Sequence, residues 1–158
     1  MYQRILVPID GSSTSNQGLD EAIKLAKLTG ASIRLLHVTD ALSFATGFEP
    51  FDVYAKDVIP LMKQAGEQLL KQARTRVQQQ GVMVDSLLSD ILAARVSDIV
   101  IEQAKAWGAD LIVIGTHGRR GVGRLLLGSD AEQIVRLAPV PVLLVRAAEV
   151  KESKVAPA

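Results

Sequence analysis

Cysteine is absent from the 158 residues. That removes disulfides, thiol nucleophiles and thiolate metal sites from consideration, and it suits a reducing compartment. Aromatic residues are also scarce, at 4%, so aliphatic side chains must fill the core. Charge of one sign is lacking too: Lys and Arg number 18, Asp and Glu 17, for a formal net charge of +1. Binding to the nucleic-acid backbone needs a strong basic excess, so no nucleic-acid partner is expected. No apolar run approaches the length of a membrane span. The opening stretch, Met1 to Ile9, is too short and too interrupted by Pro8 for a signal peptide. The expectation is a cytoplasmic protein with no membrane partner.

What is present is a regular alternation of apolar runs. Ile5-Leu6-Val7-Pro8-Ile9 is bounded by Asp10-Gly11-Ser12-Ser13 and reads as a buried strand, with Pro8 near its end. Leu19, Ala22, Ile23 and Ala26 recur at helical spacing before Gly30. Ser32 to Val38 reads as a second strand. A helix from about Lys56 to Gln80 carries a stripe of Met62, Ala65, Leu69, Ala73 and Val77, with Pro60 in its first turn and Gly81 at its end. Val82 to Leu88 reads as a third strand, and Val96 to Trp107 as a helix stopped by Gly108. Leu111 to Ile114 and Val142 to Val145 are further strands, separated by a helix marked by Ala131, Ile134, Val135 and Ala138. Strands alternating with helices predict an α/β fold, a doubly wound five-stranded parallel sheet with helices on both faces. Residues 1–147 read as one domain and 148–158 as a polar, flexible tail.

Two stretches have no clear period. Residues 39 to 54 contain Phe44, Phe48, Phe51 and Tyr54 and read as a long loop, either functional, or a cap on the core or a subunit contact. Residues 116 to 127 are rich in glycine and arginine.

In a doubly wound sheet the ligand sits beyond the carboxyl ends of the strands, where the strand order reverses. For an order 3-2-1-4-5 that point lies between strands 1 and 4. Their ends are Asp10-Gly11-Ser12 and Gly115-Thr116-His117-Gly118. Glycines let main-chain amides approach phosphate oxygens. Gly128-Ser129 opens a helix, whose first amides favour an anion. Arg119, Arg120 and Arg124 add charge. Each feature has a plainer reading. Ser129-Asp130-Ala131-Glu132 fits a capping box. The glycines fit turns, and the arginines a solvated face. Asp10 fits either a metal held through polyphosphate or a cap on the next helix. His117 fits a phosphate donor or an ordinary loop residue. His37, inside the second strand, reads as a structural histidine.

The spacing Gly115-x-x-Gly118, nine residues, then Gly128-Ser129 resembles the glycine signature of ATP-binding universal stress proteins. The opening Ile5 to Ser12 and the close Ala138 to Arg146 are similar to that family's first and last strands. The resemblance spans residues 1 to 147. It implies a Rossmann-like, adenine nucleotide α-hydrolase-like sheet in the order 3-2-1-4-5. It implies adenine near Pro8, Ile9 and the backbone of Val38. Asp10 would lie near the phosphates and a Mg or Mn ion. Ile114, Gly115, Gly118, Gly128 and Ser129, with Arg119 beside them, would line ribose and phosphates. Asp130 departs from the small apolar residue of some ATP-binding members. The resemblance also implies a homodimer through Val142 to Val145, an apolar strand at the sheet's edge.

The function expected is an ATP-responsive regulatory or stress-protective protein with no catalytic residue assigned, acting on unknown protein partners. The alternative is a slow ATPase or phosphoryl-transfer enzyme. The Walker sequence, the receiver-domain acidic cluster and the dinucleotide fingerprint are all missing from the sequence.

Overall fold

The computed structural model describes residues 1–40, 54–90, 94–116 and 127–146. Five parallel strands form one sheet: β1 (Arg4–Pro8), β2 (Ser32–Thr39), β3 (Val84–Asp90), β4 (Leu111–Gly115) and β5 (Val142–Val145). Their order is β3-β2-β1-β4-β5, as the resemblance implies. The helices are α1 (Ser13–Thr29), α2 (Ile59–Gln79), α3 (Val96–Trp107) and α4 (Ser129–Leu137).

Strand β1 shows why its sequence is a continuous apolar run. It lies between β2 and β4, and Ile5, Leu6 and Val7 are all 0% exposed because both faces of the sheet are covered. On one face Ile5, Val7, Ile33, Leu35 and Val113 pack against Leu19, Ala22 and Ile23 of α1 and Leu70 and Val77 of α2. On the other, Leu6, Leu36, Ile112 and Ile114 pack against Ile99 and Val100 of α3 and Ala131 and Ile134 of α4.

Turn chemistry sets the helix limits. Ser12 caps α1, its Oγ accepting from the Ser15 N–H at 3.2 Å. Gly30 at φ 74° ends α1, and Gly108 at φ 68° ends α3. Pro60 stands in the first turn of α2, where a missing donor costs nothing.

Helix α2 and strand β3 differ most from the sequence reading. Helix α2 begins at Ile59, after a π-helical turn at Tyr54–Val58. Its buried face is Gly66, Leu70, Ala73 and Val77, so Ala65 is exposed and Leu69 only half-buried. Strand β3 runs two residues later than expected, because its pairing with β2 starts at Ile33 opposite Val84. The aromatic residues Phe44, Phe48 and Phe51, and the tail 148–158, lie outside the described residues. No described helix is long and apolar enough to cross a membrane.

One close approach fixes the sheet's upper end. A Cβ on Gly115 would lie 2.7 Å from the carbonyl carbon and oxygen of Thr14 and 2.9 Å from the Ser15 nitrogen. Only a glycine at the end of β4 lets the first turn of α1 rest there. The ends of the two central strands are thereby held side by side.

Candidate functional site

A cleft of about 670 Å³ opens at the carboxyl ends of the strands. Pro8, Ile9, Asp10, Val38, Ile114, Gly115, Gly128 and Ser129 all line it. Residues far apart in sequence, some singled out from strand ends and glycine spacing and the others implied by the resemblance, thus meet in one place. Gly118 and Arg119 lie outside the described residues, as do His117, Arg120 and Arg124.

Three local structures build the cleft. The first is the turn after β1. Gly11 has φ 82°, a left-handed conformation that glycine adopts without strain. Asp10 Oδ1 accepts from the Ser12 N–H at 2.9 Å, and the Asp10 N–H donates to Ser15 Oγ at 3.2 Å. These bonds tie the carboxylate to the start of α1. Ser12, not Asp10, is the helix cap, which replaces the capping reading of Asp10. The aspartate instead shapes the turn and faces the cleft.

The second is the start of α4. Gly128 is its N-cap, and among the described residues no side-chain hydrogen bond caps it. The alternative reading of Ser129 as the cap of a capping box therefore does not hold: Ser129 is already the first helical residue. The opening amides of a helix point out of its end, and here that end borders the cleft. The Gly128 N–H donates to the Thr116 carbonyl at 2.9 Å, and the Thr116 N–H donates to Val145 at 2.9 Å. These two bonds join the start of α4 to the ends of β4 and β5.

The third is the end of β2. His37 is 6% exposed, and its Nδ1 lies 2.7 Å from the Ile9 carbonyl oxygen. That satisfies the structural reading of this residue, yet its ring also lines the cleft. Beyond it, Thr39 Oγ1 lies 3.0 Å from the Ser89 carbonyl. Lys63 reaches Asp90 at 3.0 Å. The hydrogen bond to Asp90, and then its charge, hold the Lys63 ammonium above the ordinary lysine range.

Several lining residues escaped the sequence reading. Ser15 belongs to the hydroxyl run Ser12-Ser13-Thr14-Ser15, which was a legible signal. Asp40 follows β2 and carries no motif. Val58, Leu61, Met62, Ala65 and Gly66 give the cleft an apolar wall at the start of α2. Leu61 is 65% exposed there, an apolar side chain left facing open space.

The electrostatics are uneven. Asp10, Asp40 and Asp130 line the cleft, while no lysine or arginine is among its described lining residues. Among the described residues no group of three or more acidic or histidine side chains is gathered closely enough to hold a metal alone. A hard cation here would need oxygen ligands from elsewhere.

The profile of the Universal stress protein family matches residues 1–146. The chain belongs to the universal stress protein family. A universal stress protein of Methanocaldococcus jannaschii is 33% identical over 146 residues, covering 92% of this chain and 83% of the relative. The crystal structure of a universal stress protein family member from Burkholderia pseudomallei aligns with TM-score 0.74 at 30% identity, covering 92% of this chain and 97% of that one. A universal stress protein of Archaeoglobus fulgidus, solved in complex with dAMP, shares the fold with TM-score 0.65 at 21% identity, covering 91% and 98%. Another family structure, in complex with cAMP, aligns with TM-score 0.64 at 23% identity, covering 93% and 98%.

Proposed function

We propose that this universal stress protein binds ATP in the cleft, together with Mg²⁺ or Mn²⁺, and acts as a nucleotide-responsive regulatory or stress-protective protein. The observation that carries the reading is the convergence of the β1 turn, the end of β4 and the start of α4 on one cleft. The structures with dAMP and cAMP support an adenine nucleotide as the ligand class.

The cleft's two halves suit the two halves of such a ligand. The base lies against Pro8, Ile9, Val38 and the apolar start of α2. Ribose and phosphates run past Ile114 and Gly115 toward Gly128 and Ser129, where helix amides favour an anion. Gly118 and Arg119, outside the described residues, belong to the same phosphate-binding set in this reading. The carboxylates of Asp10 and Asp130 oppose a polyphosphate unless a cation stands between. A Mg²⁺ ion usually takes one or two carboxylates, phosphate oxygens and water. Asp10 is its protein ligand in this reading, and the phosphates supply the donors that the described side chains do not. No catalytic residue is assigned.

We further propose that residues 1–147 are the functional unit, that it works in the cytoplasm, and that it forms a homodimer through β5. Calorimetry tests the central reading. ATP with Mg²⁺ is expected to bind in the micromolar range, and chelation with EDTA to weaken binding at least tenfold. Affinity that ignores the metal would remove Asp10 as its ligand. No heat of binding at millimolar ATP would end the nucleotide reading.

A further inference from the structure

Ile9 is the first residue past β1, and its main-chain groups are held by two different devices. Its N–H donates to the Leu36 carbonyl at 2.8 Å, continuing the sheet. Its carbonyl oxygen lies 2.7 Å from His37 Nδ1. A carbonyl can only accept, so Nδ1 carries the hydrogen, and the neutral ring is the Nδ1–H tautomer.

The ring is seated by a gap in α2. A Cβ at Gly66 would lie 2.7 Å from His37 Cδ2 and 2.9 Å from Leu88 Cδ1. Glycine is unfavourable in a helix interior, and at Gly66 the imidazole occupies the room that a side chain would need. His37 and Gly66 both line the cleft.

The consequences run along the chain. Ile9 leads directly into Asp10, whose N–H reaches Ser15 Oγ and whose Oδ1 receives the Ser12 N–H. Ser12 in turn caps α1. A continuous set of bonds therefore joins the side chain of His37 to the carboxylate and helix start at the cleft. A purely apolar residue would fill the space under α2 but would leave the Ile9 carbonyl without this donor.

We propose that His37 is a positioning residue of the nucleotide site. Its Nδ1–H pins the Ile9 carbonyl and so fixes where Asp10 and the start of α1 sit, and Gly66 is the notch that holds the ring in place. The inference rests on the nucleotide reading for its functional part; the positioning of the turn does not depend on it.

The test uses the full chain with His37→Phe, His37→Asn and Gly66→Ala. Phenylalanine fills the space without a donor, and asparagine restores an amide donor near the position of Nδ1. Three readouts are taken: the ¹⁵N signature of the wild-type imidazole, amide hydrogen exchange at Asp10 and Ser12 without nucleotide, and the dissociation constant for ATP with Mg²⁺. The wild type is expected to show a protonated Nδ1. His37→Phe is expected to speed exchange at both amides and to weaken ATP binding, each at least tenfold. His37→Asn is expected to recover most of that affinity whatever its unfolding midpoint, and Gly66→Ala to weaken binding several-fold. An unprotonated wild-type Nδ1 would overturn the proposal. So would unchanged exchange in His37→Phe, or equal affinities for the Phe and Asn variants. If His37→Phe does not fold, the ¹⁵N signature and the Gly66→Ala affinity decide. If the wild type binds no ATP, the nucleotide reading fails by itself, and the exchange measurements still decide whether His37 holds the turn.

Discussion

A methyl group added at Gly115 would meet the main chain of Thr14 and Ser15 at under 3 Å. Backbone atoms give way less than side chains, so Gly115→Ala is expected to destabilise the protein by about 1–3 kcal/mol, the usual cost of overpacking. Gly18 is the control. Its added Cβ would find its nearest neighbour at 3.4 Å, and alanine gains roughly 1 kcal/mol of helix propensity. Gly18→Ala should therefore be neutral or mildly stabilising by urea denaturation. Asp130 gives a second residue-scale prediction. Its carboxylate sits in the first turn of α4 and lines the cleft. Asp130→Asn should tighten ATP binding several-fold at low salt, while losing about 0.3–1 kcal/mol of helix-dipole stabilisation. Calorimetry and a denaturation curve separate the two effects. Strand ends and glycine spacing picked out Asp10, Gly115, Gly128 and Ser129, and the family resemblance added Pro8, Ile9, Val38 and Ile114. They could not say that Ser12 rather than Asp10 caps α1, since both are good caps and only the loop's path decides. Nor could they assign Gly115 its packing against Thr14, because nothing in a local pattern announces a close approach across the sheet.

Among the elements, α1 is capped by one hydroxyl, that of Ser12. Ser12→Ala removes the bond from Ser15 N–H to Ser12 Oγ and is expected to cost about 1 kcal/mol, with faster amide exchange at Ser15. The same contrast explains which elements were legible. Strands β1 and β4 are apolar runs covered on both faces, so their sequences carry the signal continuously. Strand β3 reads Val-Asp-Ser-Leu-Leu-Ser-Asp, and nearly all of it is half-buried at the sheet's edge. That pattern has no strong period, and its start slipped by two residues. Helix α2 was found with Ala73 and Val77 on its buried face, but the N-terminal part of its stripe was displaced by one position, to Gly66 and Leu70. The reason is Gly66, a core position filled by His37 and Leu88 instead of by its own side chain. A hydrophobicity pattern cannot register a residue that is buried by having nothing to bury. A further tie joins three elements at the opposite end of the sheet. Arg34 of β2 grips Asp85 of β3 and stacks 4.7 Å above the Trp107 ring of α3.

For the whole molecule, the strand order leaves β5 at one edge with Leu143 and Leu144 each 37% exposed. An apolar edge of this kind tends to pair with another strand. If β5 is the dimer contact proposed above, Leu144→Lys should shift the protein to monomer in sedimentation at micromolar concentration while its far-ultraviolet dichroism stays unchanged. A wild type that already sediments as a monomer would contradict the dimer. The topology itself was legible because βαβ connections allow few alternatives, and the glycine signature selected among them. The apolar wall at the start of α2 was not legible: Leu61 and Met62 read as members of an ordinary helix until the fold places them opposite Pro8 and Val38. The most direct test of the account is an amide chemical-shift titration of the full chain with ATP and Mg²⁺. Shifts are predicted to concentrate at residues 9–12, at Val38, at Ile114 and Gly115, and at 128–131. Shifts confined to the outer face of α2, or none at millimolar ATP, would contradict it.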